Sequence, residues 1–341
     1  MPFVSFAKDP DVIFKNSING ILWLYNHVDD GVSMGSGVLI DKSRSLFITN
    51  AHVVKDEQTL GTYFPAWDSK GGLIVDRAHY ESSIAEDGKN NLRGRGRLAA
   101  INKVKDLAIL YTSKIPKTAT EIELLDDTIS NKNKKGDKIH ILGNPAGRDL
   151  WQWSMASFDR IFQNNGPEYK FKAVATYGTA YFGNSGGAML DDEGRLIGIT
   201  QSISGDGLTK TYGVHVDEIG ALLASIHIYG VFTIKNSSDG FLDYTLKDCH
   251  LDDDEDSDGE FLEEYNIALE GDSDTYACDG SNPKIEYSFS VGGKRVNKTF
   301  DVGVSPVYLG DGVEADPAYD GFHYEWKRDE NFNPKIVRIE E

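Results

Sequence analysis

From residue 10 to residue 113 the chain repeats one local pattern, a short run of Val, Ile, Leu, Phe or Tyr closed off by Gly, Asp, Asn or Lys. Gly20-Ile21-Leu22-Trp23-Leu24-Tyr25, Gly37-Val38-Leu39-Ile40 and Ser45-Leu46-Phe47-Ile48 are instances. Branched and aromatic side chains suit a pleated, half-buried surface, and turn residues at such close spacing leave no room for long helices. A second series follows over Lys138–Gly143, Tyr169–Val174, Gly187–Leu190, Arg195–Ile199 and Tyr212–Val216. Two all-β halves of roughly a hundred residues each are expected. A helical period emerges over Val216–Ile226, where Asp217 stands as a cap and Ile219, Leu222, Leu223 and Ile226 share one face. That helix is expected to close the first unit.

At 341 residues the chain exceeds the roughly 250–300 at which a single core stops growing, so two domains are expected. Charge marks the division. Of the 54 acids, 27 lie from Val231 onward against 10 bases, so that part carries −17 of the net −19. Strand patterns resume there in Phe232–Ile234, Leu242–Leu246, Lys284–Val291 and Thr299–Val302, with Gly292-Gly293 as a hairpin turn. The reading is a domain over 1–230 followed by a small acidic β-sandwich over 231–341.

The same charge balance excludes nucleic acid as a partner, because phosphate binding needs a basic footprint. Arg93, Arg95 and Arg97, spaced by two, read as one exposed face of a strand. The apolar stretch Ala221–Ile234 is broken by Ser225, His227 and Gly230, short of the roughly 18 residues of a membrane span, so no membrane association is expected. The opening residues show neither a basic leader nor an apolar core of a signal peptide, and a cytoplasmic location is expected unless a leader has been removed. The two cysteines, Cys249 and Cys278, leave a single disulfide open while favouring a reducing compartment.

Three segments carry chemistry: Ile48-Thr49-Asn50-Ala51-His52-Val53-Val54, Asp106-Leu107-Ala108-Ile109-Leu110 and Gly183-Asn184-Ser185-Gly186-Gly187. A serine hydroxyl is a weak nucleophile at neutral pH. Acyl transfer needs an imidazole to take its proton and a buried carboxylate to fix the imidazole's tautomer and stabilise its charged form. His52 and Asp106 fit those roles for Ser185. Gly183 permits the backbone conformation that would aim its N–H, with that of Ser185, at a developing oxyanion, while Gly186 and Gly187 allow close strand approach.

In the order His, Asp, Ser, these segments resemble the chymotrypsin-fold serine peptidases, and most closely the disulfide-free bacterial branch that includes HtrA-type proteases. The resemblance covers roughly residues 15 to 226 and takes in Gly35-Ser36-Gly37-Val38-Leu39-Ile40 and Gly136–Gly147. It implies two six-stranded antiparallel barrels with the site in the cleft between them. Three features depart from the pattern. Asn184 is neutral where digestive relatives carry the aspartate that pairs with a new N-terminus. The acidic tail lacks the glycine-rich carboxylate-binding loop of a PDZ module. The polar segment from Asp56 to Arg97 is longer than a minimal barrel needs and is expected to be an exposed loop that gates the cleft or contacts a partner. By the same likeness, Thr179, Thr200 and Tyr212 line the primary pocket, and Gln201, Ser202 and Ile203 offer backbone to an extended substrate. No carboxylate stands at the pocket base, so cleavage after Arg or Lys is not favoured.

The other histidines show no metal-ligand spacing, and neither metal nor cofactor is expected. Asp254-x-Asp256-x-Asp258-Gly259 copies half of a calcium loop, but its twelfth position is Tyr265, so a solvated acidic loop is the better reading. Asn236-Ser237-Ser238 and Asn297-Lys298-Thr299 fit the glycosylation pattern incidentally. The expected function is a serine endopeptidase acting on polypeptides, with a regulatory protein partner engaged through the tail or the 56–97 segment. Its rivals are a latent protease fold used as a scaffold, and an esterase with the same triad.

Overall fold

The computed structural model describes residues 8–28, 31–55, 59–82, 92–112, 115–125, 133–178, 180–204, 209–237, 242–247, 249, 265–267, 273–279, 283–291, 294–302, 305–310, 313, 322–328 and 334–339. Thr179, the Gly292-Gly293 turn and the acidic loop from Asp254 up to Tyr265 lie outside them. The chain divides into two compact units, Met1–Ser225 with 310–312, and Ile226–Leu309 with Val313–Glu341.

In the first unit the alternating runs become strands β1 (Ile21–Val28), β2 (Gly31–Asp41), β3 (Leu46–Thr49), β4 (Thr59–Tyr63), β5 (Arg93–Asn102) and β6 (Leu107–Tyr111). They close into a barrel in the order β1-β2-β3-β6-β5-β4, sealed by the antiparallel pairing of Trp23 with Tyr63. A second closed barrel runs β10-β11-β12-β9-β8-β7. Its strands are β7 (Lys138–Gly143), β8 (Gln152–Asn165), β9 (Lys170–Tyr177), β10 (Ala188–Leu190), β11 (Leu196–Ser204) and β12 (Lys210–His215). Closure gives every strand of each barrel a neighbour on both sides. Leu22, Leu24, Leu39, Phe47 and Leu110 share one face of the first, and Ile141, Val174 and Met189 share one face of the second, all fully buried or nearly so.

Among the described residues four α-helices frame the barrels: α1 (Pro10–Ser17), α2 (Ala51–Val54), α3 (Arg77–Ser82) and α4 (Asp217–Ala224). Asp9 caps α1 by accepting from the Asp11 N–H, with Pro10 in its first turn, a start signal that the strand-rich surroundings obscured. At α4 the cap differs from expectation. Val216 occupies the cap position without a side-chain bond, and Asp217 begins the helix with its carboxylate drawn to Lys172.

The segment from Asp56 to Arg97 is not one exposed loop. Thr59–Tyr63 is the barrel strand β4, and Tyr63, Phe64, Ala66 and Tyr80 are buried. Burial of this much apolar surface pins its described parts to the barrel. On β5, Gly96 faces Phe47 of the core, so the arginines turn outward; Arg95 is exposed and Arg93 lies over the Tyr63 ring.

The second unit begins at Ile226, and its first strand, β13 (His227–Asn236), spans the boundary expected at 230. One sheet holds β13 with β16 (Ser273–Asp279), β19 (Ser305–Leu309), β20 (Phe322–Arg328) and β21 (Pro334–Arg338), and the other orders β15 (Tyr265–Ile267), β14 (Leu242–Lys247), β17 (Lys284–Val291) and β18 (Lys294–Asp301). Side chains of both sheets meet in one core, with Phe232, Tyr276, Tyr324 and Trp326 from the first and Tyr244, Leu246, Ile285 and Tyr287 from the second. The sheets therefore form a sandwich, in which Trp326 stands edge-on to Tyr287 at 4.5 Å. Cys249 and Cys278 are buried in that core as a disulfide.

Candidate active site

Asp106 begins the site. It ends the Lys103–Asp106 turn between β5 and β6 with its amide donating to the Lys103 carbonyl. Its φ is +55°, in the left-handed region that aspartate tolerates better than most residues. The turn drives its carboxylate inward, where its side chain is wholly shielded from solvent. Burying a carboxylate is costly unless its lone pairs are used. Here one oxygen accepts the His52 backbone N–H at 3.0 Å, and the other lies 2.8 Å from His52 Nδ1. The Asn50 side-chain amide donates to the Asp106 carbonyl at 2.9 Å, so the turn is held from both ends.

His52 sits on the single turn of α2, whose Val53 and Val54 are buried while the His52 side chain keeps 36% of its surface exposed. The helix thus packs on one side and presents the imidazole to a cleft on the other. That cleft, about 340 Å³, is lined by His52, Lys55, Val104, Asp106, Glu168 and Tyr169 among others. Lys170 on β9 donates to the Val104 carbonyl at 2.9 Å, bringing the second barrel against the aspartate turn of the first. The Tyr169 hydroxyl is pushed up to about 12, chiefly by burial and then by the charges of Asp106 and Glu168.

Ser185 stands on the other barrel, outside the lining of that cleft. Its carbonyl accepts the Ser36 N–H of β2 at 2.8 Å. A Cβ on Gly35 would collide with Val53 and press on that carbonyl, so the absent side chain is what lets the histidine helix and the serine loop flank one strand. The Ser185 hydroxyl is half-exposed and rests 3.3 Å from the Gln201 carbonyl.

The loop before it is built to aim amides. Asn184 N–H donates to the Tyr181 carbonyl at 3.0 Å, and Gly183 stands third in this turn with φ +93°, as a type II turn requires. The Phe182 carbonyl accepts from Ala146 N–H at 2.5 Å. In a trans peptide the carbonyl and the following N–H point in opposite directions, so the Gly183 N–H faces away from Ala146. The Gly183 carbonyl is held by the Ser36 hydroxyl at 2.9 Å, which itself accepts the Asn144 N–H at 2.8 Å. Both carbonyls flanking Gly183 are thus tied down.

The residues expected to line the primary pocket are dispersed. Thr200 is buried, its N–H and carbonyl committed to Gly187 and Gly186, and its hydroxyl has no partner among the described residues. It supports the serine loop instead of presenting a surface. Tyr212 is half-buried on β12 with its ring against Phe162 and pairs with Ser202. Gln201 lies at a register shift of β11 between Thr200 and Ser202. Pairing with β10 ends at Ile199, which leaves 201–203 beyond that strand's reach. Ser202 and Ile203 are exposed there. Asn184 is buried, with a carboxamide oxygen that has no partner among the described residues.

Sequence reasoning missed Ser36, Asn50, Asn144 and Tyr169 as parts of the site. Gly35-Ser36-Gly37 and Asn144-Pro145-Ala146-Gly147 were legible only as strand and loop strings; their polar atoms acquire a role once the two barrels meet.

Residues 35–199 match the model of the trypsin-like peptidase domain. Fold and match together give the two-barrel unit the chymotrypsin-type architecture, and it resembles serine peptidase domains. Within that class it is similar to HtrA-type proteins. A "Probable periplasmic serine protease do/HhoA-like" of Haemophilus influenzae is 25% identical over 202 residues, covering 58% of this chain and 37% of that protein. A "Serine protease HtrA-like" of Staphylococcus aureus is 25% identical over 210 residues, covering 58% of this chain and 24% of that one. The match therefore spans well under half the length of these relatives. The solved HtrA-type protease AlgW with tripeptide shares the fold at a TM-score of 0.50 and 18% identity, over 88% of this chain and 98% of that one.

Proposed function

We propose that the protein is a serine endopeptidase that cuts polypeptides through an acyl-enzyme on Ser185. The observation that carries this reading is the buried Asp106 carboxylate 2.8 Å from Nδ1 of a half-exposed His52, beside the loop that holds Ser185. With Nδ1–H fixed on the carboxylate, the opposite nitrogen is left unprotonated and able to take the serine proton. Ser185 Oγ attacks the scissile carbonyl carbon, and its proton passes to His52 Nε2. The oxyanion is received by the N–H groups of Gly183 and Ser185, whose peptides are held by the bonds that the Phe182 and Asn184 carbonyls accept from the Ala146 and Gly187 N–H groups. His52 then gives its proton to the leaving amine, and water repeats the sequence to release the acid.

An extended substrate adding along 201–203 would take the Gln201 carbonyl as its own acceptor. The Ser185 hydroxyl, which now rests on that carbonyl, would then be released toward His52. This favours peptide over simple ester as the substrate class. Comparing a peptide ester with an extended peptide of the same acyl group tests it. Endopeptidase action gives kcat/KM that climbs as residues are added before the scissile bond, and lost turnover in Ser185→Ala. Ester turnover with no gain from chain length would contradict the reading.

A further inference from the structure

We infer that Arg77 is a positioning residue for the oxyanion hole, acting on the Gly183 amide through the loop 144–148. This rests on the serine-peptidase reading above and adds to it a residue from the opposite barrel.

Arg77 opens α3, in the segment between β4 and β5. Its guanidinium donates through Nε to the Arg148 carbonyl at 3.0 Å and through one terminal nitrogen to the Pro145 carbonyl at 2.5 Å. The other terminal nitrogen meets the Met34 sulfur at 3.4 Å, and the group lies over the buried Trp23 ring at 5.1 Å. A planar fork with fixed donor directions holds two carbonyls in one relative geometry, which a flexible ammonium cannot do. Between those carbonyls stands Ala146, whose N–H fixes the Phe182 carbonyl.

The chain of contacts is therefore continuous: Arg77 to Pro145 and Arg148, Ala146 to Phe182, and the Phe182–Gly183 peptide to the oxyanion. Its tolerance is small. A Cβ on Gly183 would lie 2.5 Å from the Asn144 carbonyl and 2.6 Å from the Ala146 nitrogen, so the turn is seated directly on this loop. Neighbouring contacts brace the same loop, with Leu150 N–H on the Val75 carbonyl at 2.9 Å and the Trp151 indole on the Tyr80 hydroxyl at 2.9 Å. These hold the loop in place, and Arg77 alone among them grips the two carbonyls that bracket Ala146. Released from Arg77, the peptide can rotate, exchanging the Gly183 N–H for the Phe182 carbonyl at the site.

The test compares the full-length parent with Arg77→Met, which keeps the stem against Trp23 and removes every donor, and Arg77→Lys, which restores one. Losing a single oxyanion donor costs about 10²–10³-fold in rate, and an ångström of misplacement about 10²-fold. Arg77→Met is expected to lower kcat about 10–100-fold with KM within about twofold, and Arg77→Lys to fall between. Affinity for a peptidyl boronate, whose tetrahedral adduct uses the hole, should fall in parallel, while affinity for the cleaved product peptide stays. Equal losses for boronate and product would mean a merely structural role and overturn the inference, as would parental turnover in a folded Arg77→Met. If Arg77→Met does not fold, Arg77→Lys carries the same comparison. The NMR shift of the Gly183 amide, which needs no turnover, separates the two readings. A parent that never acylates while Arg77→Met moves that resonance would overturn the peptidase reading and uphold the clamp.

Discussion

One carboxylate of Asp106 fixes both the backbone and the ring of His52, with Oδ1 accepting the His52 amide at 3.0 Å and Oδ2 lying 2.8 Å from Nδ1. This double use makes a sharp prediction for Asp106→Asn. The backbone N–H requires an oxygen, so the new amide's nitrogen must face the ring. It would donate to Nδ1 and force the proton onto Nε2, the tautomer that cannot accept from serine. We expect kcat to fall by about 10⁴ with the fold intact, measured by steady-state peptide hydrolysis alongside circular dichroism.

Gly183→Ala should also be costly. At φ +93° an alanine is strained, and its Cβ meets the Asn144 carbonyl at 2.5 Å. The turn must open, and the amide leaves the oxyanion position. A loss of about 10²–10³ in kcat with little change in KM is expected; an unchanged kcat would separate this amide from the chemistry.

How much of this was legible beforehand follows from the range of the interactions. His52, Asp106 and Ser185 could be picked out because each sits in a local string whose backbone behaviour follows from its own residues. The barrels could be anticipated because their strands carry their own period. The clamp on Gly183 could not, because Ser36, Asn144 and Arg77 act on atoms more than 60 residues away. Asp56–Arg97 misled for a related reason. Its polar composition hides the apolar residues Tyr63, Phe64 and Tyr80, which are spaced irregularly and find burial only against the barrel. The Thr200 assignment placed a residue by the strand it lies on, through likeness, which fixes neither burial nor the direction of a side chain. The pairing of Cys249 with Cys278 was left open because spacing alone says nothing of whether two sulfurs meet.

Acid should weaken the first unit through His215. Burial pushes its pKa down from 6.5 to about 4, against the raising effects of Asp217 and Glu218 and with Lys172 lowering it further. Its Nδ1 accepts the Asp217 N–H at 3.2 Å, a bond that needs the neutral ring. Between these values the unfolded chain binds a proton that the folded one refuses. The stability is therefore complete above about pH 6.5 and is lost as pH falls toward 4, for a total of about 3 kcal/mol. Urea unfolding at several pH values should show this slope in the parent and a shallower one in His215→Gln.

Reduction should act on the second unit. The bond between Cys249 and Cys278 closes a separation of 29 residues, and a loop of that length contributes about 3–4 kcal/mol on the chain-entropy account. Thermal unfolding with and without a thiol reductant, followed by Trp326 in the sandwich core, should give a lower midpoint for the reduced unit. An unchanged midpoint with both thiols shown free would contradict a stabilising bond.

The most direct measurement is covalent labelling of the folded, full-length protein with a fluorophosphonate, followed by peptide mapping of the adduct. One adduct on Ser185 is expected, absent in Ser185→Ala and slowed by Asp106→Asn. Absence of any Ser185 adduct, with and without an extended peptide present to occupy the 201–203 edge, would contradict it.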